Sequence, residues 1–262
     1  MKIKLYSSTS EPYVQDSTAE NELRVFSNDE WAYLWSTGDC TEEYKEIFKD
    51  KEKFLSLIED RTRKEAERLG EYLLEIGARD ILCLSSGPTH HEYLIKQKIP
   101  ETRITVSDFN PFLVDVVRRL FPEYEDHLLI DIKKQDFTIY KGKFDTVMLM
   151  LACYVLNDDE FVSFLRNVRK IESLHLILVE DGFVNNKRYL QYLLNSTLRN
   201  LVNIKKQLQG TPPVSWGRFH GWGRTRGHVS KLVKRSGVFS LESFHYLKEI
   251  RPFMAFYHLT PR

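Results

Sequence analysis

The stretch RDILCLSSGPTHHEYLIKQKIPETRITVSDFNP, residues 79–111, decides the fold. Its opening run DILCLSS (80–86) is apolar and then small, and Gly87 and Pro88 follow. A helical pattern occupies THHEYLIKQK (89–98), and a second apolar run, RITVSD, occupies 103–108. Two strands joined through a helix run parallel, because antiparallel neighbours are joined by tight turns and parallel ones need a crossover. The stretch is a strand–helix–strand unit, and the sequence around it repeats the unit.

Downstream, Pro111 opens the helix PFLVDVVRRLF (111–121), at a position where its missing N–H costs nothing. HLLIDI (127–132) reads as a short third strand. FDTVMLML (144–151) reads as a fourth, apolar along most of its length as a central parallel strand should be. DDEFVSFLRNVRKI (158–171) is a helix whose opening acids suit the positive end of its dipole. LHLILVED (174–181) is the fifth strand. A helix over 186–208 leads to a loop in which five glycines, Gly210, Gly217, Gly221, Gly223 and Gly227, crowd together. The helix HVSKLVKRSG then precedes two final strands, VFSLESFHYL and FMAFYHLTP. The expected fold is α/β: a doubly wound, seven-stranded, mainly parallel sheet with a closing antiparallel strand pair.

Upstream, Tyr44, Ile47, Phe48, Leu55, Ile58, Leu69, Leu73 and Ile76 recur at near-helical spacing, predicting one long amphipathic helix. Asp39 with Glu42 offers a capping box at its start, and Gly77 a stop. Residues 1–38 show no period and read as an irregular arm carrying the aromatic cluster Trp31, Tyr33 and Trp35. The chain divides into an N-terminal arm and helical extension, 1–78, and a Rossmann-like domain, 79–262, within which 186–227 is a substrate cap.

The 262 residues, 42% of them hydrophobic, are enough to bury a proper core. No apolar run reaches the roughly 18 residues of a membrane span, and the N-terminus has no signal-peptide core, so a cytoplasmic protein without membrane attachment is expected. Cys40, Cys83 and Cys153 are too scattered for a disulfide framework or a zinc site. Glu180 and Asp181 have no third ligand assignable by spacing, so no metal is expected.

The net charge of +1 conceals a segregation. Between Gly182 and Leu241 there is no Asp or Glu, yet there are eleven Lys and Arg residues. Arg218, Arg224 and Arg226 interleave there with Trp216, Phe219, His220 and Trp222, a pairing of guanidinium forks and aromatic faces suited to an anionic group carrying a ring. A small anionic or aromatic molecule fits this pattern, and RNA fits it less well. The alternative is structural: the basic segment docks on the acidic N-terminal helix, within one chain or across a homodimer.

Strand ends carry the chemistry in an open α/β sheet. Ser85, Ser86 and Gly87 let a ligand approach the backbone at the first strand end. Asp108, about twenty residues on, can accept both hydroxyls of a ribose, or can instead cap the helix beginning at Pro111. Asp136 and Phe137 follow the third strand, where they could read and stack on an adenine, or form a simple turn.

These motifs together resemble class I S-adenosylmethionine-dependent methyltransferases. ILCLSSGPT looks like the family's first motif, of the form hydrophobic-hydrophobic-Asp-hydrophobic-Gly-x-Gly-x-Gly, with Cys83 at the acidic position and Ser85 and Thr89 at the first and third glycines. VSDFNP resembles the second motif, QDF the third, FDTVMLMLACYVLNDDEF the fourth and LHLILVEDGF the strand after it. The resemblance implies S-adenosylmethionine as cofactor, held by Ser85, Ser86, Gly87, Asp108, Phe109, Asn110, Asp136, Phe137, Leu151 and Ala152. It implies transfer of a methyl group to a small-molecule acceptor, with Tyr154, Asp181 and His220 as candidate catalytic residues. Trp216, Arg218, Trp222 and Arg224 are the candidate acceptor-binding residues. LACYVLND lacks the Asn-Pro-Pro-aromatic form of enzymes that methylate exocyclic base nitrogens. Four alternatives stay open: aminocarboxypropyl transfer, as in nicotianamine-synthase-like enzymes with a similar Ser-Gly-Pro loop; RNA methylation; a non-catalytic binding module of the same fold; and an NAD-dependent dehydrogenase.

Overall fold

The computed structural model describes residues 2–7, 48–180, 183–211, 218–251 and 254–262, with the side chains of 3–7, 196, 199 and 218–220 outside the description. The chain begins with strand β1 (Lys2–Ser7) and, after the break, helices α1 (Lys51–Ser56) and α2 (Asp60–Glu75). Alternation follows: β2 (Asp80–Leu84), α3 (His90–Lys98), β3 (Arg103–Asp108), α4 (Pro111–Leu120), β4 (Asp126–Leu129), β5 (Thr146–Met150), α5 (Asp158–Val168) and β6 (His175–Glu180). A long helix α6 (Asn186–Leu208), β7 (Arg218–Arg224), α7 (Arg226–Ser236), β8 (Phe239–Tyr246) and β9 (Ala255–Pro261) complete it.

Seven strands form one sheet in the order β4-β3-β2-β5-β6-β9-β8. The first five are parallel, and β9 inserts antiparallel between β6 and β8. This is the expected doubly wound sheet with its closing pair. The pleat sorts the apolar residues onto two faces. Leu82, Leu84, Val147, Leu149, Leu176 and Leu178 face the layer of α5 and α7. Ile81, Cys83, Met148, Met150, Ile177 and Val179 face the layer of α2, α3 and α4. A continuous apolar run is what a strand covered on both faces requires, which explains TVMLM in β5.

Local chemistry sets the helix ends. Asn110 caps α4 by accepting from the Phe112 N–H, with Pro111 in the first turn. Asn157 and Glu160 form a reciprocal capping box on α5.

The N-terminal region departs from the expected single helix. Its described part is two helices interrupted at Leu57–Glu59, where Asp50 caps the first and Leu57 ends it. The proposed Asp39–Glu42 start and the cluster Trp31, Tyr33 and Trp35 lie outside the described residues. Gly77 adopts φ 71 beyond the end of α2, a torsion that glycine enters without strain. Residues 2–7, expected to be irregular, form a strand paired antiparallel with β7, itself expected to be loop.

Candidate functional site

Strand order reverses at β2, which has β3 on one side and β5 on the other. A parallel sheet leaves a crevice beyond its strand ends at such a point. A cleft of about 270 Å³ opens there, lined by Ser85, Ser86, Gly87, Asp108, Phe109, Leu151, Ala152 and Tyr154 among others.

The loop after β2 has an unusual backbone. Ser85, Gly87 and Thr89 hold φ of 56, 52 and 55. These are the three positions at which the resemblance places glycines, so the glycine conformation persists at all three although two carry side chains. A left-handed serine or threonine costs about 1 kcal/mol or more, and such strain gathers where ligands are held. Leu151, at the end of β5 and on the opposite wall, is left-handed as well, at φ 48.

Asp108 clasps this loop. One carboxylate oxygen accepts the Gly87 N–H at 2.9 Å, and the other accepts the Asn110 N–H at 2.9 Å. Its carboxyl is only 7% exposed, and burial raises its pKa above the ordinary carboxylate value against the opposing pull of those N–H groups. The Phe109 N–H bonds the same carboxylate, which still has acceptor capacity left for a ligand hydroxyl.

Beneath the loop lies Glu92, which is 1% exposed. Burial pushes its pKa up to about 7, opposed by His91 and by a hydrogen bond with Ser86. Cys83, at the position where the family has an acid, is buried, and its thiol pKa is driven upward by burial and by Glu92. The buried carboxyl nearest Cys83 comes from the first turn of α3. His91 lines the cleft and is braced by Glu65 of α2 at 2.9 Å.

The far wall is fixed by Arg224. Its guanidinium is wholly buried; it donates to the Cys153 carbonyl at 2.9 Å and to the Leu156 carbonyl, and pairs with Asp158 at 3.2 Å. Those carbonyls belong to the turn that carries Tyr154. Gly221 of β7 lies against that turn, so that a Cβ there would come within 2.5 Å of the Tyr154 ring and 2.6 Å of its carbonyl oxygen. Lys2 and His228 reach the same carboxylate at 3.1 and 2.9 Å. Burial opposes ionisation of Asp158, but His228, Lys2 and Arg224 together hold its pKa below the usual value.

The sequence-predicted residues thus separate. Ser85, Ser86, Gly87, Asp108, Phe109, Leu151, Ala152 and Tyr154 come together at the cleft. Asn110 stands behind it as the α4 cap. Asp136 and Phe137 do not reach it: Phe137 is a core residue with no exposed surface, and Asp136 caps a short helical turn by accepting from Thr138. Asp131, Ile132 and Lys133, directly after β4, occupy the wall instead. The signal was present in HLLIDI, whose acid falls just beyond the strand. Arg224, read as acceptor-binding, is committed to the protein's own carbonyls and Asp158. Trp222 packs beneath the Lys2 ammonium, 4.1 Å from its ring centroid. His220 and Arg218 lie on β7 with side chains outside the description, and Asp181 and Trp216 lie outside the described residues. Among the described residues no group of three His, Cys, Asp or Glu side chains could hold a metal, and no helix is long and apolar enough to cross a membrane.

The strand order is that of the Rossmann-like fold found in class I S-adenosylmethionine-dependent methyltransferases. Particular solved structures make the likeness concrete. The mitomycin 7-O-methyltransferase MmcR superposes with a TM-score of 0.57 at 14% identity, over 83% of this chain and 60% of that one. Magnesium protoporphyrin IX methyltransferase ChlM from Synechocystis PCC 6803, with bound SAH, gives 0.56 at 14%, over 88% and 97%. TnmH gives 0.58 at 11%, over 89% and 61%. The chain thus spans about three fifths of MmcR and TnmH and nearly all of ChlM. At such identities the likeness is one of fold. No protein-family profile and no curated protein sequence matches the chain.

Proposed function

We propose that the chain is a methyltransferase that binds S-adenosylmethionine in the cleft beyond β2 and β3 and methylates a small acceptor bearing an anionic or aromatic group. The observation that carries the reading is the loop 85–89, which holds three left-handed residues and is clasped through Gly87 by Asp108. The cofactor supplies an electrophilic methyl group on its sulfonium. Asp108 offers lone pairs to the ribose hydroxyls, and the loop's backbone admits the amino-acid portion. Asp131 and Ile132, which line the cleft where Asp136 and Phe137 do not, would read the adenine. Methyl transfer needs chiefly proximity and alignment. Tyr154 would orient the acceptor, and Asp181 and His220 remain candidates for a base.

The acceptor's character rests on the acid-free segment, with 186–227 as the cap. Beyond the end of β6 a second cleft of about 480 Å³ is lined by Phe183, Asn185, Thr225, Arg226, Lys231 and Phe244. Two aromatic rings beside two cations suit a ring with a carboxylate or phosphate. The fold neighbours named as mitomycin 7-O-methyltransferase and magnesium protoporphyrin IX methyltransferase support methyl transfer.

Calorimetry with S-adenosylmethionine, S-adenosylhomocysteine and NAD tests it. Binding of the first two and not the third is expected, and Asp108→Ala should weaken both by 10-fold or more, about 1.4 kcal/mol. Folded protein that binds neither, or an Asp108→Ala variant of unchanged affinity, would overturn it. The Ser86-Gly87-Pro88 sequence favours aminocarboxypropyl transfer as the second reading. Its product, methylthioadenosine in place of S-adenosylhomocysteine, distinguishes the two.

A further inference from the structure

Helix α6 is built inside out. It spans 23 residues, about 35 Å at 1.5 Å per residue. A surface helix normally buries its apolar stripe and shows its polar side. Here Leu190, Leu193, Leu194, Leu198, Leu201 and Leu208 are between 42% and 84% exposed, as are Val202 and Ile204. Among its described side chains the partly buried ones are Arg188, Tyr189, Tyr192, Asn203 and Lys206. Among the described elements none packs extensively on it.

We infer that this exposed face is covered by the same helix of a second copy of the chain, in an antiparallel, two-fold pair. The spacing carries the first part of the argument. Leu190, Leu194, Thr197, Leu201, Ile204 and Leu208 follow one another at intervals of four and three, the seam pattern of paired helices. The order of intervals reads the same in both directions. Turning a second helix end for end about residue 199 sets 190 against 208, 194 against 204 and 197 against 201, so every seam position meets another. That self-complementarity is what a two-fold interface demands.

Area carries the second part. The five apolar seam side chains expose on the order of 600 Å², and Leu193, Leu198 and Val202 beside them bring the apolar patch to on the order of 900 Å², beyond the roughly 300–600 Å² of the largest patch on an ordinary monomer.

Charge fixes the orientation. The helix has no acid and carries Lys187 and Lys205, five turns apart, on the margin of the apolar face. A parallel pair would set Lys187 against Lys187 and Lys205 against Lys205. The antiparallel pair places Lys205 beside Leu193 of the other copy and leaves Lys187 beyond its end, while Arg188 and Lys206 are turned away from the seam. The pairing is independent of what the cleft binds.

Light scattering during size-exclusion chromatography is the test, at micromolar concentration. The expected mass is twice that of the 31.0 kDa chain. Leu194→Glu with Leu201→Glu, both at exposed positions, should weaken association by about 100-fold or more and leave the circular dichroism spectrum unchanged. With Cys40 replaced by Ser, the double variant Leu194→Cys/Ile204→Cys should form an inter-chain disulfide under oxidation, and Leu194→Cys alone should not. A monomer for the unmodified chain, or a dimer untouched by the glutamates, overturns the proposal. So does a monomer that co-sediments with phosphatidylglycerol vesicles, which would make the face a lipid-binding one. Cross-linking by Leu194→Cys alone overturns the antiparallel arrangement.

Discussion

Ser85 and Thr89 occupy torsions that a glycine would enter freely. If the loop's backbone shape is what the cleft needs, restoring glycine removes strain without changing the shape. Ser85→Gly should therefore stabilise the protein by about 0.5–1 kcal/mol, since relief of roughly 1–2 kcal/mol of left-handed strain is partly offset by the greater freedom of glycine in the unfolded chain. Urea denaturation with and without S-adenosylmethionine measures this; a loss of stability would mean the serine hydroxyl matters more than the backbone. Glu92 behaves oppositely to an ordinary carboxyl. Its folded pKa of about 7 lies above the unfolded value of 4.5, so the native protein keeps a proton that the unfolded chain has released. Its contribution is complete below pH 4.5 and is lost as pH rises through 7. Glu92→Gln should flatten stability over that interval, as thermal melts across it would register.

At the scale of elements, β7 and the turn after β5 form one unit held by Arg224. Removing the guanidinium leaves two buried carbonyls and the Asp158 carboxylate short of partners. Arg224→Ala should cost about 2–4 kcal/mol, chiefly because the Cys153 and Leu156 carbonyls lose their buried donor while Asp158 keeps Lys2 and His228. It should also weaken cofactor binding by freeing the Tyr154 turn, a pairing of effects that chemical denaturation and calorimetry would read separately. This unit was illegible in the sequence for a physical reason. β1 and β7 pair residues more than two hundred positions apart, and each strand alone is short or broken by glycine. Arg224 among arginines and tryptophans looks like a ligand group until its burial is seen. The parallel units, by contrast, were legible because the central strands β2, β5 and β6 are apolar on both faces and each helix is local. Asp108's position in the cleft was legible because it ends a strand. Asp136 and Phe137 misled because a lone aromatic after an acid serves a core as well as a ring stack, and only packing assigned Phe137 to the core.

The whole molecule is bound together by histidines that must stay neutral. His258 on β9 accepts or donates to Tyr72 of α2 at 2.9 Å and to His175 of β6 at 2.9 Å, and Tyr72 reaches Ser243 of β8 at 2.7 Å. This chain of polar contacts links the helical extension to the sheet through its closing strands. Burial, with the neighbouring His175 and His245, lowers the pKa of His258 to about 4. Burial lowers that of His90, packed against the Phe54 ring, to about 4 too. His127, His175, His228 and His245 are lowered as well, by burial first in each case. An unfolded chain protonates these groups below pH 6.5, whereas the native protein holds all six neutral further into acid, His90 and His258 until about pH 4, so their contribution is complete above pH 6.5 and is lost as pH falls. Glu92 pulls the other way only between pH 4.5 and 7. The raised Glu92 and Asp108 carboxyls act in the opposite sense to the six lowered histidines, His90 and His258 being the most strongly shifted, and stability should climb from pH 4 towards 6.5. His258→Gln, which can keep a hydrogen bond to Tyr72 but does not titrate, should shallow the acid limb and lower the plateau only modestly. Denaturant midpoints measured at intervals across that range decide it: an acid limb as steep in the variant as in the parent would remove His258 from the set of groups that govern acid unfolding.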